Sequence, residues 1–288
     1  MKFAYIILAH KNPKQFSRLV NAISDDHVFV FVHVDRKSNL QEFKDELDGL
    51  RNVVFCDKQI QVTWGGFGMI EATLELMRTM YSFVIQPDYV HLMSGLDFPL
   101  KTNAEIVRFF VENKGKNFLE AYKIPTPHLN EFGFNRIHYK WFIEDEGYQK
   151  AAQLVEIQKQ RNMKRLYFEN IQPYNGSQWW SLTGECVQWI YETCKPGYRL
   201  YDFYKYTFVS DEMLFQTMLK NSDWNDTIVE DNLRNINWDE GPEFPKIWRT
   251  KDFERLKCSE KLFARKFDEN VDNEIIKQIE KQLIKSNY

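Results

Sequence analysis

At 288 residues, 43% hydrophobic and 16% aromatic, the chain can bury a sizeable core and is too apolar to be disordered. A balance of 38 basic against 41 acidic residues leaves a formal charge of −3, without the basic excess of a dedicated nucleic-acid binder. Four cysteines (Cys56, Cys186, Cys194 and Cys258), none spaced Cys-x-x-Cys, exclude a disulfide scaffold and read as reduced thiols.

The first apolar run, Phe3 to Ala9, falls far short of the ~20 residues that span a bilayer, and no other segment comes closer, so a soluble protein is expected. The run reads instead as a strand buried on both faces. "NPKQFSRLVNAIS" predicts a helix with Asn12 as cap and Pro13 at its first position. "HVFVFVHVD" is a second buried strand ending in Asp35. An amphipathic helix, "NLQEFKDELDGL", and a third strand, "NVVFCD", follow. Then come a long helix, "GMIEATLELMRTMYSFV", a fourth strand, "YVHLMS", and a helix, "NAEIVRFFVEN", with Asn103 as cap. Repeated βα units predict an α/β fold, a mostly parallel, Rossmann-like sheet flanked by helices. Ligands of such sheets bind outside the carboxyl ends of the strands. His10, Asp35, Asp57 and the turn from Ser94 to Asp97 stand there.

Beyond residue 120 the pattern weakens. Residues 120–180 carry no clear period and are expected to be a substrate-binding excursion. "GECVQWIYETC" predicts a helix, "SDEMLFQTMLKNS" another starting near Ser210, and "NEIIKQIEKQLIKS" a last amphipathic one. No linker divides the chain, so one compact unit is expected.

Several residues could carry chemistry. Asp97 ends a buried strand, but the residue two before it is Gly95, so there is no Asp-x-Asp to hold a metal against a diphosphate. Ser210 is a candidate N-cap, with Asp211 and Glu212 in a first turn where the helix dipole favours acids. Capping is the plain reading of that pair. Yet Phe208, Val209, Met213, Leu214 and Phe215 bracket it, and a half-buried carboxylate has the raised pKa that a general base needs. His33 and Asp35 make a weak metal pair because no third ligand is evident. Asp35 either hydrogen-bonds a nucleobase or ribose or is a solvated strand end. Trp64 precedes Gly65-Gly66, glycines that permit close backbone approach, and is placed to stack on a base. Trp179-Trp180 suits a sugar platform and a core equally. Lys266 and Arg265 lie between Leu262-Phe263 and Phe267, in a segment that should dock.

With these residues in order, the chain resembles the core-2/I-branching β-1,6-N-acetylglucosaminyltransferase family, which also contains peptide O-xylosyltransferases. The carrying segments are "YIILAHKNP", "FVHVDRKS", "WGGFGMIEA", "SGLDFPLKTNAEI", "GSQWWSLT", "SDEMLFQTML" and "LFARKFD". The resemblance implies a GT-A fold over residues 1–288, with a nucleotide-binding half at 1–119 and an acceptor and catalytic half at 120–288. It implies an inverting transferase that uses a UDP-sugar, without a metal or other cofactor, and a glycan or glycoconjugate as acceptor. N-acetylglucosamine is the favoured sugar and xylose the alternative; a non-catalytic carbohydrate-binding protein on the same fold is the rival. Glu212 matches the catalytic base, and Arg249 and Lys266 the basic pair at the diphosphate. Asp35, Trp64 and His10 fall at the nucleotide, with Asp97 and Asp211 beside the substrates. Glu120 and Trp238 fall at the acceptor. Animal members are anchored, disulfide-bonded Golgi proteins. This chain shows neither feature, so a cytoplasmic location is expected, at the membrane periphery if the acceptor is lipid-linked.

Overall fold

Alternate residues of the first apolar run point to opposite faces of a strand, and each face has its own core. Ala4, Ile6 and Leu8 join one cluster with the helices at 68–82, 184–193, 199–204 and 214–220. Phe3, Tyr5, Ile7 and Ala9 join the other, with the helices at 13–23, 103–112, 253–257 and 274–279. A strand covered on both sides needs apolar residues at every position, which is why the run does not alternate. The computed structural model describes residues 1–83, 85–240 and 244–284. Val84 of the predicted long helix and Lys285-Ser286 of the predicted last one lie outside them.

The strands are β1 (Phe3–Ala9), β2 (Val28–Val34), β3 (Val53–Phe55), β4 (Tyr89–Ser94) and β5 (Asp97–Pro99). They continue with β6 (Asn117–Lys123), β7 (Tyr174–Thr183), β8 (Ile228–Val229), β9 (Arg234–Ile236) and β10 (Phe263–Arg265). The main sheet runs β3-β2-β1-β4-β7-β6-β8, and β5-β10-β9 form a small second sheet. Neighbours β3, β2, β1 and β4 are parallel, as predicted, but β7 is antiparallel to both β4 and β6. The α/β expectation holds, with a mixed rather than wholly parallel sheet. Arg234 on β9 ties the sheets together. It is buried and donates to the carbonyls of Leu92 on β4, at 2.9 Å, and Trp180 on β7, at 3.2 Å.

Four local expectations are corrected. Residues 120–180 are no simple excursion: they supply most of β6, a helix at 143–160 and most of β7, with Trp180 wholly buried. Trp180 is therefore core rather than a sugar platform. The helix at 103–112 is capped by Thr102, in a capping box with Glu105, and not by Asn103. Asn12 sits at φ 56° and makes no side-chain cap; its amide donates to Asp268 instead, at 2.9 Å. Ser210 opens only a 3₁₀ turn, the α-helix starts at Leu214, and the Ser210 hydroxyl is buried without a hydrogen-bond partner among the described residues. The cysteines are unpaired, three of them buried and Cys258 exposed. No helix among the described residues is long and apolar enough to cross a membrane.

Candidate active site

The carboxyl ends of β1 and β2 meet where the Asp35 N–H donates to the Ala9 carbonyl at 2.8 Å, which sets His10 beside Asp35. Asp35 is largely buried; its Oδ1 accepts the Lys37 N–H at 2.9 Å, and the Lys37 ammonium lies 3.7 Å from Oδ2. His33 is different. It is buried, and its Nε2 accepts the Ile60 N–H at 2.8 Å. That lone pair is already in use, and burial pushes the ring's pKa down to about 4, so His33 is a core histidine.

β10 brings cations to the same edge. It pairs antiparallel with β5, which sets Arg265 opposite Asp97. Asp97 is fully buried; Oδ1 accepts from Arg265 at 2.9 Å and Oδ2 from the Ser94 N–H at 3.0 Å. This corrects the reading of Asp97 as a substrate contact: both oxygens are occupied, and its work is to hold Arg265. Gly95 has a physical reason as well. A Cβ there would stand 3.2 Å from Phe16 and 3.3 Å from Ala9, so a side chain would enter the packing of β1 rather than the cleft.

Lys266 follows Arg265, flanked by the fully buried Phe263 and Phe267. Lys11 is paired with Asp268 at 2.6 Å and Arg265 with Asp97, whereas Lys266 has no ion pair among the described residues. Burial first, then Arg265 and Lys11, lower the Lys266 pKa. Desolvation first, and then Lys11, Lys266 and Arg265, lower the His10 pKa to about 4. Such a concentration of positive charge, with Lys266 lacking an ion pair among the described residues, attracts anions. Arg249 is alongside, because the Trp248 N–H donates to the Lys266 carbonyl at 2.9 Å and its indole to the Arg265 carbonyl at 2.9 Å.

Trp64 is 49% exposed and Phe244 57% exposed, with ring centroids 6.2 Å apart. The Lys266 ammonium lies 5.8 Å from the centre of the Phe244 ring. Phe244 thus bridges the aromatic and the cationic parts of the site. The glycines after Trp64 admit the protein's own side chains, not a ligand. Gly65 has φ +76°, and a Cβ on it would lie 2.5 Å from Phe208 Cε2. A Cβ on Gly66 would lie 2.9 Å from the Glu144 carboxyl carbon, and the Gly68 N–H donates to Glu144 at 2.7 Å.

The Trp64 loop is joined to the acidic turn, since the Gly65 carbonyl accepts the Val209 N–H at 2.8 Å. Val209 has φ 53°, and Ser210, Asp211 and Glu212 follow at once. The Glu212 side chain is 31% exposed, and its Oε2 accepts from Arg136 Nη1 at 2.8 Å. The same Nη1 donates to Asn175 Oδ1 at 2.6 Å, and the Asn175 amide donates to the Tyr122 hydroxyl at 2.8 Å. The upward shift expected of the pair falls on Asp211, raised to about 7 by burial first and by Glu212 second, with Arg136 opposing. Glu120, at the irregularity in β6, accepts from Asn232 at 2.8 Å. Its pKa is raised by burial, then by Asp231 and Glu212. Trp238 is half exposed past the end of β9 and joins no aromatic pair among the described residues.

The predicted residues therefore fall into two groups joined through the Trp64 loop. His10, Asp35, Arg249 and Lys266 lie at the strand ends, Glu120, Asp211 and Glu212 round the turn, and Trp64 between them. Arg136, Asn175, Asn232, Phe208 and Phe244 were missed. Arg136 stands in "NRIHYKW", where no period marks it, and only the buried neighbours of Glu212 hinted that a partner was needed.

The sequence model of the Core-2/I-Branching enzyme family matches residues 3–265. Xylosyltransferase 2 of Pan troglodytes is 28% identical over 297 aligned positions, covering 96% of this chain and 33% of that protein. Xylosyltransferase 1 of Mus musculus is 26% identical over 307 positions, covering 98% and 30% respectively. The chain thus spans about a third of the length of these relatives. Among solved structures, the galactosyltransferase LgtC in complex with donor and acceptor sugar analogues aligns over 97% of this chain and 96% of its own. That alignment has a TM-score of 0.44 and 9% identity. With the family match running from β1 through β10, the chain belongs to the Core-2/I-Branching enzyme family.

Proposed function

We propose that the protein is an inverting glycosyltransferase that moves a sugar from a UDP-sugar to a glycan or glycoconjugate hydroxyl. One observation carries the reading. The loop that exposes Trp64 beside Phe244 and Lys266 also bonds, through Gly65, to the turn that carries Glu212. A stacking surface, a cation with no ion pair among the described residues and a held carboxylate are thus linked through one loop, as a donor and an acceptor in the same cleft require.

In this reading the nucleobase lies against Trp64 and hydrogen-bonds Asp35, with His10 near, and the diphosphate faces Lys266 and Arg249. Glu212, oriented by Arg136, takes the proton of the acceptor hydroxyl as its oxygen attacks the anomeric carbon opposite UDP. Fixed cations then stabilise the charge on the departing diphosphate, an electrostatic role that needs no reorganisation during the reaction. Glu120 and Trp238 belong to the acceptor side. N-acetylglucosamine stood first from the sequence, but the relatives are xylosyltransferases, so UDP-xylose becomes the first donor to test.

The deciding experiment incubates the protein with UDP-xylose and UDP-N-acetylglucosamine after exhaustive chelation and follows UDP release and product anomer by NMR. Turnover of either donor from α to β in EDTA is the expected result. Turnover that returns only with a divalent ion would remove the role given to Lys266 and Arg249. UDP binding without any turnover, even with acceptors supplied, would favour a carbohydrate-binding protein.

A further inference from the structure

Phe208 takes no part in the chemistry just described, yet both halves of the site rest on it. Its ring meets Trp64 edge-on with centroids 5.4 Å apart, and fills the space beside Gly65 where a Cβ would stand 2.5 Å away. On its other side it stacks on Trp141 at 4.5 Å and 21°. Its backbone N–H donates to the Arg136 carbonyl at 3.3 Å, and the Arg136 guanidinium lies 6.0 Å from its ring. The next residue, Val209, donates to Gly65 and leads into Glu212. So one side chain touches the loop that presents Trp64, and its own backbone holds the arginine that grips Glu212.

We infer that Phe208 is a positioning residue that locks the Trp64 loop and the Arg136–Glu212 pair into a single geometry; this rests on the function proposed above. Three consequences separate it from the simpler roles. A residue that only stabilises the fold would, when trimmed, lower the melting temperature and leave the folded enzyme's constants alone. A plain nucleotide contact would weaken UDP binding and leave turnover at saturating donor intact. A shared wedge weakens both, because Trp64 and Glu212 lose their common support together.

The test is Phe208→Leu, with Phe208→Met as an unbranched variant of similar volume that adapts more readily to the site if the first folds poorly. Calorimetric UDP affinity and turnover at saturating donor are read on protein shown to be folded by circular dichroism. Both constants should fall by about tenfold, the scale that an aromatic contact of this kind supports. Arg136→Gln should lower turnover alone. Combining it with Phe208→Leu should reduce turnover by less than the product of the two single effects, because both act through Glu212. A variant with unchanged turnover at saturating donor overturns the inference, as does strict multiplicativity of the two effects. Wild-type protein that neither binds UDP nor turns over a UDP-sugar would instead sink the proposed function itself.

Discussion

Replacing Lys266 by alanine should weaken binding of UDP and leave binding of uridine unchanged. The side chain is half-buried, lies over Phe244 and has no carboxylate partner among the described residues. Its backbone is fixed on both sides, by Trp248 donating to its own carbonyl and by Phe267 donating to that of Leu96, each at 2.9 Å. Burial, Arg265 and Lys11 all disfavour its charge, so an arriving anion relieves a cost the folded protein already carries. Opposite unit charges ~4 Å apart attract by about 4 kcal/mol at an effective dielectric of ~20. Desolvation of both partners takes back part of this, leaving about 1.5–3 kcal/mol, the usual net worth of a hydrogen bond to a charged group. At about 1.4 kcal/mol per factor of ten, the loss is about 10–100-fold for UDP. Uridine has no phosphate and lies against Trp64, so its affinity should not move. Calorimetric titration of uridine, UMP and UDP against wild type, Lys266→Ala and Lys266→Arg reads this directly. Equal losses for uridine and UDP would make Lys266 a structural residue. An unchanged UDP affinity would put the diphosphate elsewhere.

Other outcomes follow from the acids and the strand crossing. Glu212→Gln should lower turnover by about 10²–10⁴ with UDP affinity retained, the usual worth of a positioned base; an equal loss from Asp211→Asn in the same steady-state assay would make both acids structural. Asp211 is raised to about 7 in the fold, from ~3.9 in an unfolded chain, so the native state holds its proton longer. Stability should therefore fall as pH rises from about 4 to 7 and level off above. Asp211→Asn should remove that slope, matching wild type in urea melts at pH 4 and exceeding it at pH 8; a gain independent of pH would refute the assignment. A Cβ on Gly176 would lie 2.6 Å from the Glu120 carbonyl carbon and 3.1 Å from the Ala121 Cα, all backbone that cannot yield. Gly176→Ala should cost at least the ~1–3 kcal/mol of an overpacked core in denaturant titration, and wild-type stability would show that β6 and β7 are not pressed together there.

The first 112 residues were legible because their signals are local. A strand buried on both faces must be apolar throughout, and the helices between such strands show their own period, so β1 to β4 and their order of appearance could be read from the chain. The family segments likewise marked Trp64, Glu212 and Lys266 one at a time. What the tertiary structure decided is everything that depends on a partner far away in sequence. β7 runs antiparallel between β4 and β6, and its face and direction are set by those neighbours rather than by its own residues. Asp97 looked like a ligand because a strand-end carboxylate ordinarily faces solvent; only the pairing of β5 with β10 places Arg265 against it. Arg136 meets Glu212 across 76 positions of chain, and Phe208 meets Gly65 across nearly twice that separation. Hydrophobic periodicity reports which face of an element is buried. It does not report what lies against that face, because contact is fixed by how the elements close on one another.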